Sequence, residues 1–362
     1  MIRALTTRWT SFVPLLAALA LVATWGRSLP AAGVIVVALF LAGSVLAAVQ
    51  HAEVVAHRVG EPFGSLVLAV AVTVIEVALI VTLMISGGEK AATLARDTVF
   101  AAVMITCNGI FGLALLVGAL RRRLAVFNAE GTGAALATVA TLATLSLVLP
   151  TFTSSVPGPE FSPAQLAFAA VASLALYGLF VMVQTVRHRD DFLPVEDDGV
   201  ITGAAHDQRP SVRATLASLG LLLVALVGVV GLAKVVSPTI ESAVANAGLP
   251  PAAVGVAIAL LVLLPETLAA VRAARRDQVQ ISLNLALGSA MASIGLTIPA
   301  IAVATIWLQG PLVLGLGATQ MVLLALTVVV GVLTVVPGRA TLLQGGVHLA
   351  LFSAFVFLAA SP

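Results

Sequence analysis

From one end to the other this sequence repeats a single pattern, apolar runs separated by short polar turns. The runs fall at about 11–25, 30–50, 64–86, 98–118, 131–150, 164–186, 214–236, 250–271, 281–307, 311–336 and 341–360. About 20 residues rising 1.5 Å each cross the roughly 30 Å hydrocarbon core of a bilayer, so runs of this length predict about eleven transmembrane helices. Helices are expected because a segment in hydrocarbon must satisfy its own backbone N–H and C=O groups. Composition agrees with that solvent: 60% of the residues are hydrophobic and 9% charged, where a soluble domain carries about 25% charged residues. Mean hydropathy is +1.14. The expected fold class is therefore an all-α polytopic membrane protein. No polar block is long enough for a folded domain outside the membrane, which excludes a soluble globular enzyme or binding module.

Two details complete this frame. The first run, Ser11 to Trp25, follows Arg3 and Arg8 and competes with a signal peptide. The absence of a small-residue cleavage site and the interfacial positions of Trp9 and Trp25 favour a retained helix, residues 1–29. The single cysteine, Cys107, cannot form an internal disulfide, and no Cys/His pair has metal-ligand spacing.

Arginine distribution orients the chain. With the N-terminus in the cytoplasm and each run reversing the side, only Arg27, Lys90, Arg96 and Lys234 fall outside, and the other fourteen of the 18 basic residues fall inside. The isoelectric point near 9.2 thus reports topology, and no nucleic-acid partner is expected. The longest polar stretch, 187–213, holds Asp190, Asp191, Glu196, Asp197, Asp198 and Asp207 with Pro194, Gly199 and Gly203, and is expected to be an acidic cytoplasmic linker. It separates five runs in 30–186 from five in 214–362. Because five is odd, the second set enters the membrane inverted relative to the first, an arrangement common in secondary transporters.

Of the 16 acidic residues, all but two lie in predicted loops or at helix ends. Glu76 is inside the 64–86 run and Glu266 inside 250–271, directly after Pro265. A charged group at the bilayer centre costs roughly 2.5–3.5 kcal/mol on insertion scales, so such residues point to function. Both sit in the second run of their half. The bland alternative is a protonated glutamic acid bonded to a neighbouring helix for packing alone. Glu266 is about 9 Å of helix from Arg272, and Pro265 is expected to kink the helix and release carbonyls as further oxygen ligands.

The next run of each half adds neutral polar groups: Thr106 and Asn108, then Asn284, Ser289 and Ser293. Thr106 and Ser293 read as helix-packing glue. Aligning Cys107–Asn108–Gly109 with Gly288–Ser289–Ala290 places Asn108 over Ser289. Carboxylates with neutral oxygens suit a hard cation such as Ca²⁺ or Na⁺.

These residues also carry a resemblance. Gly60-Glu61-Pro62-Phe63-Gly64 with Thr73-Val74-Ile75-Glu76-Val77 resembles the first alpha-repeat of the cation/calcium exchanger superfamily, and Pro265-Glu266 with Asn284-Leu285-Ala286-Leu287-Gly288-Ser289 resembles the second. The acidic linker is similar to that of bacterial calcium/proton antiporters of the ChaA type. The resemblance implies a fold of eleven helices, ten forming the inverted repeat, and a cation site drawn from Glu76, Glu266, Asn108, Ser289, Thr73 and Asn284, with the two glutamates also carrying protons. The superfamily's usual Gly-Asn-x-x-Glu signature is altered: Thr73 and Leu263 stand where side-chain amides are usual. Fewer amide oxygens lower the available coordination number, and Ca²⁺ takes six to eight oxygens. The ChaA-type branch is associated with Na⁺ and K⁺ as well as Ca²⁺.

The expected function is export of Ca²⁺, with Na⁺ or K⁺ as further candidates, in exchange for H⁺ by alternating access. A monovalent Na⁺(K⁺)/H⁺ antiporter is the alternative, and a passive cation channel, which would need no proton exchange, a remote one. No enzyme activity is expected, since no run holds an HExxH sequence or a plausible Ser/His pair. No cofactor is expected, the partners are the transported ions and the lipid bilayer, and neither a protein partner nor an oligomeric state is legible. Positive-inside bias favours a bacterial plasma membrane. Pro62, Gly64, Gly88 and Pro265 are candidate bending points. His51 and His57, with Glu53, are expected in a cytoplasmic loop, His188 and His206 in the solvated linker, and His348 in a structural hydrogen bond within the last helix.

Overall fold

The computed structural model describes residues 9–27, 29–60, 63–87, 92–195, 210–250, 252–307 and 310–361. Arg3, Arg8, Glu61, Pro62, Gly88, Glu89, Lys90 and linker positions 196–209, including His206, lie outside the described residues. Among those described, eight helices are long and apolar enough to cross a membrane, and nine if one bent pair forms a single span; two shorter apolar helices, Trp9–Thr24 and Ala69–Ile85, accompany them. The chain divides into two compact units, residues 1–91 with 204–254, and 92–203 with 255–362.

The first unit contains α1 (Trp9–Thr24), α2 (Ala31–Val59), α3 (Phe63–Gly87) and α7 (Val212–Asn246). α2 packs against α1, α3 and α7. It runs nine residues past its predicted end, because nothing from Gln50 to Arg58 breaks a helix. It stops at Gly60, whose φ of +78° closes the helix with an N–H bond to the Ala56 carbonyl. His51, Glu53 and His57 therefore lie on a helix and not in the expected loop. His51 is buried, its Nε2 3.0 Å from the Thr10 carbonyl on α1. α7 extends past its predicted end at 236 through Pro238 to Asn246, a proline costing one hydrogen bond without ending the helix. At the other end of the unit the Lys234 ammonium lies 5.4 Å from the Trp25 ring centroid.

The second unit contains the continuous helices α4 (Leu94–Arg122), α5 (Ala129–Thr151) and α6 (Pro163–Arg187), the pair α8 (Ala252–Val262) and α9 (Leu264–Arg275), and α10 (Val279–Ala304), α11 (Ala318–Val335) and α12 (Leu342–Ala360). α10 is its centre, packed against α4, α5, α6 and α9. The 281–307 run ends later, and the 311–336 run begins earlier, than the corresponding helices: residues 305–307 form turns, and α11 starts only at Ala318. Gly310, Pro311, Gly315 and Gly317 explain the second difference. This segment instead lends its backbone to neighbours, with bonds from Val313 to Ala92, Gly315 to Pro159 and Leu316 to Leu147.

Two short backbone pairings tie loops together. β1 (Ala125–Val126) pairs antiparallel with β2 (Arg339–Ala340), and Glu160 bridges Val313. Each joins the approach to α5 or its exit to the corresponding end of α11.

Where α4 crosses α12 there is no room for side chains. A Cβ on Gly345 would lie 2.8 Å from the Leu116 nitrogen and 3.0 Å from the Gly112 carbonyl, and one on Gly112 2.8 Å from His348 Cβ. Small residues are how membrane helices approach closely. Gly345→Val is expected to lower stability by about 1–3 kcal/mol, because backbone cannot yield to the added group. Gly346→Ala, with nothing within 4 Å of the added carbon, is the matched control and should melt with the wild type in detergent.

Candidate functional site

Glu76 lies in the middle of α3, with Thr73 one turn earlier on the same face; the two are 4% and 6% exposed. Ile75, Leu79, Ile80 and Leu83 bury beside them while Val70 and Val74 stay exposed. The carboxylate therefore sits on the buried face of α3.

Glu266 has a different local frame. The span that carries it is broken at Leu263 and bent by 51° between α8 and α9. Pro265 is the cause: it has no N–H to offer the carbonyl four residues back, and it occupies the second position of α9, where no such bond is required. The kink expected from sequence is thus a complete break. Glu266 follows as the third residue of α9, half-buried, at the positive end of the helix dipole.

α4 is interrupted as well. Residues Ile105–Ile110 form a π-helical turn, a local widening that often marks functional sites. The turn packs against α9 and α10, so Asn108, Glu266 and Ser289 belong to adjoining elements of the second unit. Asn108 is fully buried: its Nδ2 donates to Thr327 Oγ1 at 2.8 Å, and its Oδ1 lies 3.1 Å from His348 Nδ1. Ser289 is half-buried on α10. Thr106 donates to the Ala102 carbonyl of its own helix at 2.7 Å.

Asn284 serves a visible local purpose. Its Nδ2 donates to the Phe192 carbonyl at 2.7 Å and its Oδ1 accepts from Gln280 Nε2 at 2.8 Å. Gln280 Oε1 in turn accepts from the Asn128 N–H at 2.6 Å, and its Nε2 lies 3.2 Å from Thr132 Oγ1. The start of the linker is therefore docked and not solvated as expected: Phe192 is 6% exposed and stacks edge-on with Phe180 at 5.6 Å, and Gly131 abuts Asp191. His188 remains exposed, 3.6 Å from Asp191.

Sequence reasoning missed the Gln280–Thr132 network and the buried Asp97, which pairs with Arg96 at 2.8 Å at the start of α4. Among the described residues no three His, Cys, Asp or Glu side chains converge. The donors present in the second unit are a carboxylate with amide and hydroxyl oxygens, a set that fits a hard cation as cargo and not a resident transition metal.

Helices broken or widened within long apolar spans, beside ionisable and amide side chains, fit an integral membrane protein of the transporter class. The chain belongs to the sodium/calcium exchanger protein family, whose model matches residues 29–186 and 217–360. It is 46% identical over 98% of its length to a relative from Sinorhizobium fredii whose name marks it provisionally as an ionic transporter, y4hA, and covers 96% of that protein. It is 34% identical over 96% of its length to the sodium-potassium/proton antiporter ChaA of Escherichia coli, covering 95% of it. Its fold is similar to that of the H⁺/Ca²⁺ exchanger CAX, with a TM-score of 0.70 at 17% identity, across 96% of this chain and 86% of that one.

Asn284→Leu is expected to free the linker start. Trypsin should then cleave at Arg187 and Arg189 several-fold faster than in the wild type, read by gel on the protein in membranes; unchanged cleavage would show that Phe192 burial alone holds the segment.

Proposed function

We propose that this protein is a secondary active antiporter that exports Ca²⁺, and Na⁺ or K⁺ with it as substrates, in exchange for H⁺. The observation that carries the reading is the placement of Glu76 and Glu266, acids inside spans away from the polar ends, each in the second span of its half. An ionised carboxylate in hydrocarbon is costly, and either a proton or a cation removes that cost. Glu76 in the first unit and Glu266 in the second take up cation and protons in turn, and only the neutralised protein changes the side to which it opens. One Ca²⁺ balances two carboxylates, as do two protons; a monovalent ion is accompanied by one proton. Protons moving inward down their gradient drive cation export across a bacterial plasma membrane, with the N-terminus cytoplasmic.

Two observations support the inverted repeat that this mechanism uses. The family model matches one stretch in each half. The two backbone pairings also interchange under the repeat: β1 follows the third span of the first half and meets the loop before the last span of the second, while Val313 follows the third span of the second half and meets Glu160, before the last span of the first.

A second reading, Na⁺(K⁺)/H⁺ antiport with little Ca²⁺ transport, is favoured by Thr73 and Leu263 at positions where amide oxygens are usual, and by the monovalent substrates in the name of the relative from Escherichia coli.

The test is cation-driven proton movement in everted membrane vesicles, with Ca²⁺, Na⁺ and K⁺ added separately. Wild type is expected to collapse an imposed pH gradient with at least one of them, and Glu76→Gln and Glu266→Gln, present at normal levels, to fall to background. Wild-type exchange in both variants would overturn the reading. Cation flux that needs no proton movement would point to a channel.

A further inference from the structure

His348 is 1% exposed on α12, a helix that carries neither carboxylate. It reaches α4 because Gly112 and Gly345 let the two helices cross nearly backbone to backbone, and the Phe111 ring covers it at 4.9 Å between centroids. Its two ring nitrogens lie in one continuous hydrogen-bonded chain. Nε2 is 3.2 Å from Thr334 Oγ1 and Nδ1 is 3.1 Å from Asn108 Oδ1. Asn108 Nδ2 donates to Thr327 Oγ1 at 2.8 Å, and Thr327 donates to the Leu323 carbonyl at 2.7 Å.

With Thr327 donating to Leu323, the directions of the other members follow. Thr327 spends its single proton on Leu323, so it accepts from Asn108, which fixes Nδ2 on the Thr327 side and Oδ1 on the His348 side. His348 must then donate from Nδ1 and accept from Thr334 at Nε2, the neutral tautomer. A flipped amide would require the other tautomer, with Nδ1 accepting from Nδ2, Nε2 donating to Thr334 and Thr327 turning its proton from Leu323 to Oδ1, so the amide's orientation and the imidazole's tautomer are set together. An amide oxygen has two lone pairs, so Oδ1 keeps one for a cation while the other holds His348.

We propose that His348 is a positioning residue for cation exchange: through Nδ1 it fixes which end of the Asn108 amide is offered to the cation, so that apparent cation affinity depends on α12. The inference rests on the antiporter reading and on Asn108 as a ligand. Partners that orient a ligand from behind typically contribute about tenfold or more to metal affinity.

The experiment measures KM and kcat per inserted protein in everted vesicles, titrating Ca²⁺, Na⁺ and K⁺ separately. His348→Leu is expected to raise KM for the transported cation about tenfold with kcat largely kept. His348→Gln, which retains an N–H donor, should recover most of the loss. Asn108→Ala should raise KM as well, and adding His348→Leu to it should cost nothing further, since two changes acting through one group are not additive. Unchanged KM in His348→Leu, full additivity in the double variant, or no recovery with Gln would each overturn the proposal. Should His348→Leu fail to insert, Thr334→Val, which keeps the shape and removes the proton that selects the tautomer, decides it: a raised KM supports the proposal and an unchanged one overturns it. Wild-type exchange in both Glu76→Gln and Glu266→Gln would instead overturn the antiporter reading, whereas its loss in them, with KM unchanged in His348→Leu, overturns the positioning role alone.

Discussion

Hydrocarbon supplies no hydrogen-bond partner, and the architecture of both units answers that shortage. Many of the polar side chains within the helices are supplied from within the protein. Thr106 and Thr327 return their protons to carbonyls on their own helices, Ser146 meets Ser173 across a helix contact, and Gln280 serves Asn128, Thr132 and Asn284 at once. The breaks in regular helix obey the same rule. Pro265 interrupts its span where its missing N–H falls at the start of a new helix, so the interruption leaves Glu266 at a helix N-terminus and not beside an orphaned stretch of chain.

Glycine supplies the complementary condition, closeness. At the α4–α12 crossing the absence of two side chains brings backbones into contact, and that contact carries His348 to Asn108. Elsewhere in the second unit Gly295 seats Tyr177 and Gly331 seats Leu136 in the same way. Polar satisfaction and close approach therefore depend on each other: a wider crossing would leave the imidazole without its partners.

Much of this was legible in the sequence and some was not, for identifiable reasons. Apolar run length located the spans because bilayer thickness is a fixed external ruler, and isolated acids such as Glu76 and Glu266 stand out against an apolar background. The ends of α2 and α7 are not legible from polarity, because polar residues do not end a helix: α2 continues to Gly60, and α7 runs through Pro238 to Asn246. Gly310 to Gly317 were absorbed into an apolar run because hydropathy does not distinguish Gly and Pro from helix formers. The docking of Phe192 and the Gln280 network join residues more than eighty positions apart, and no local pattern records such a meeting.

The π-helical turn at Ile105–Ile110 has a consequence for how α4 presents itself. A π turn accommodates one more residue than an α turn, so everything after it is rotated by roughly 100° about the axis relative to an uninterrupted helix. α4 is therefore two helical wheels joined at Asn108. Its N-terminal wheel, from Leu94, carries Asp97 and Phe100, and its C-terminal wheel, to Arg122, carries Gly112 and Leu115. Removing a single residue within the turn would leave composition and length almost untouched, yet it would swing one wheel against the other and turn a glycine face away from the helix it was shaped to meet.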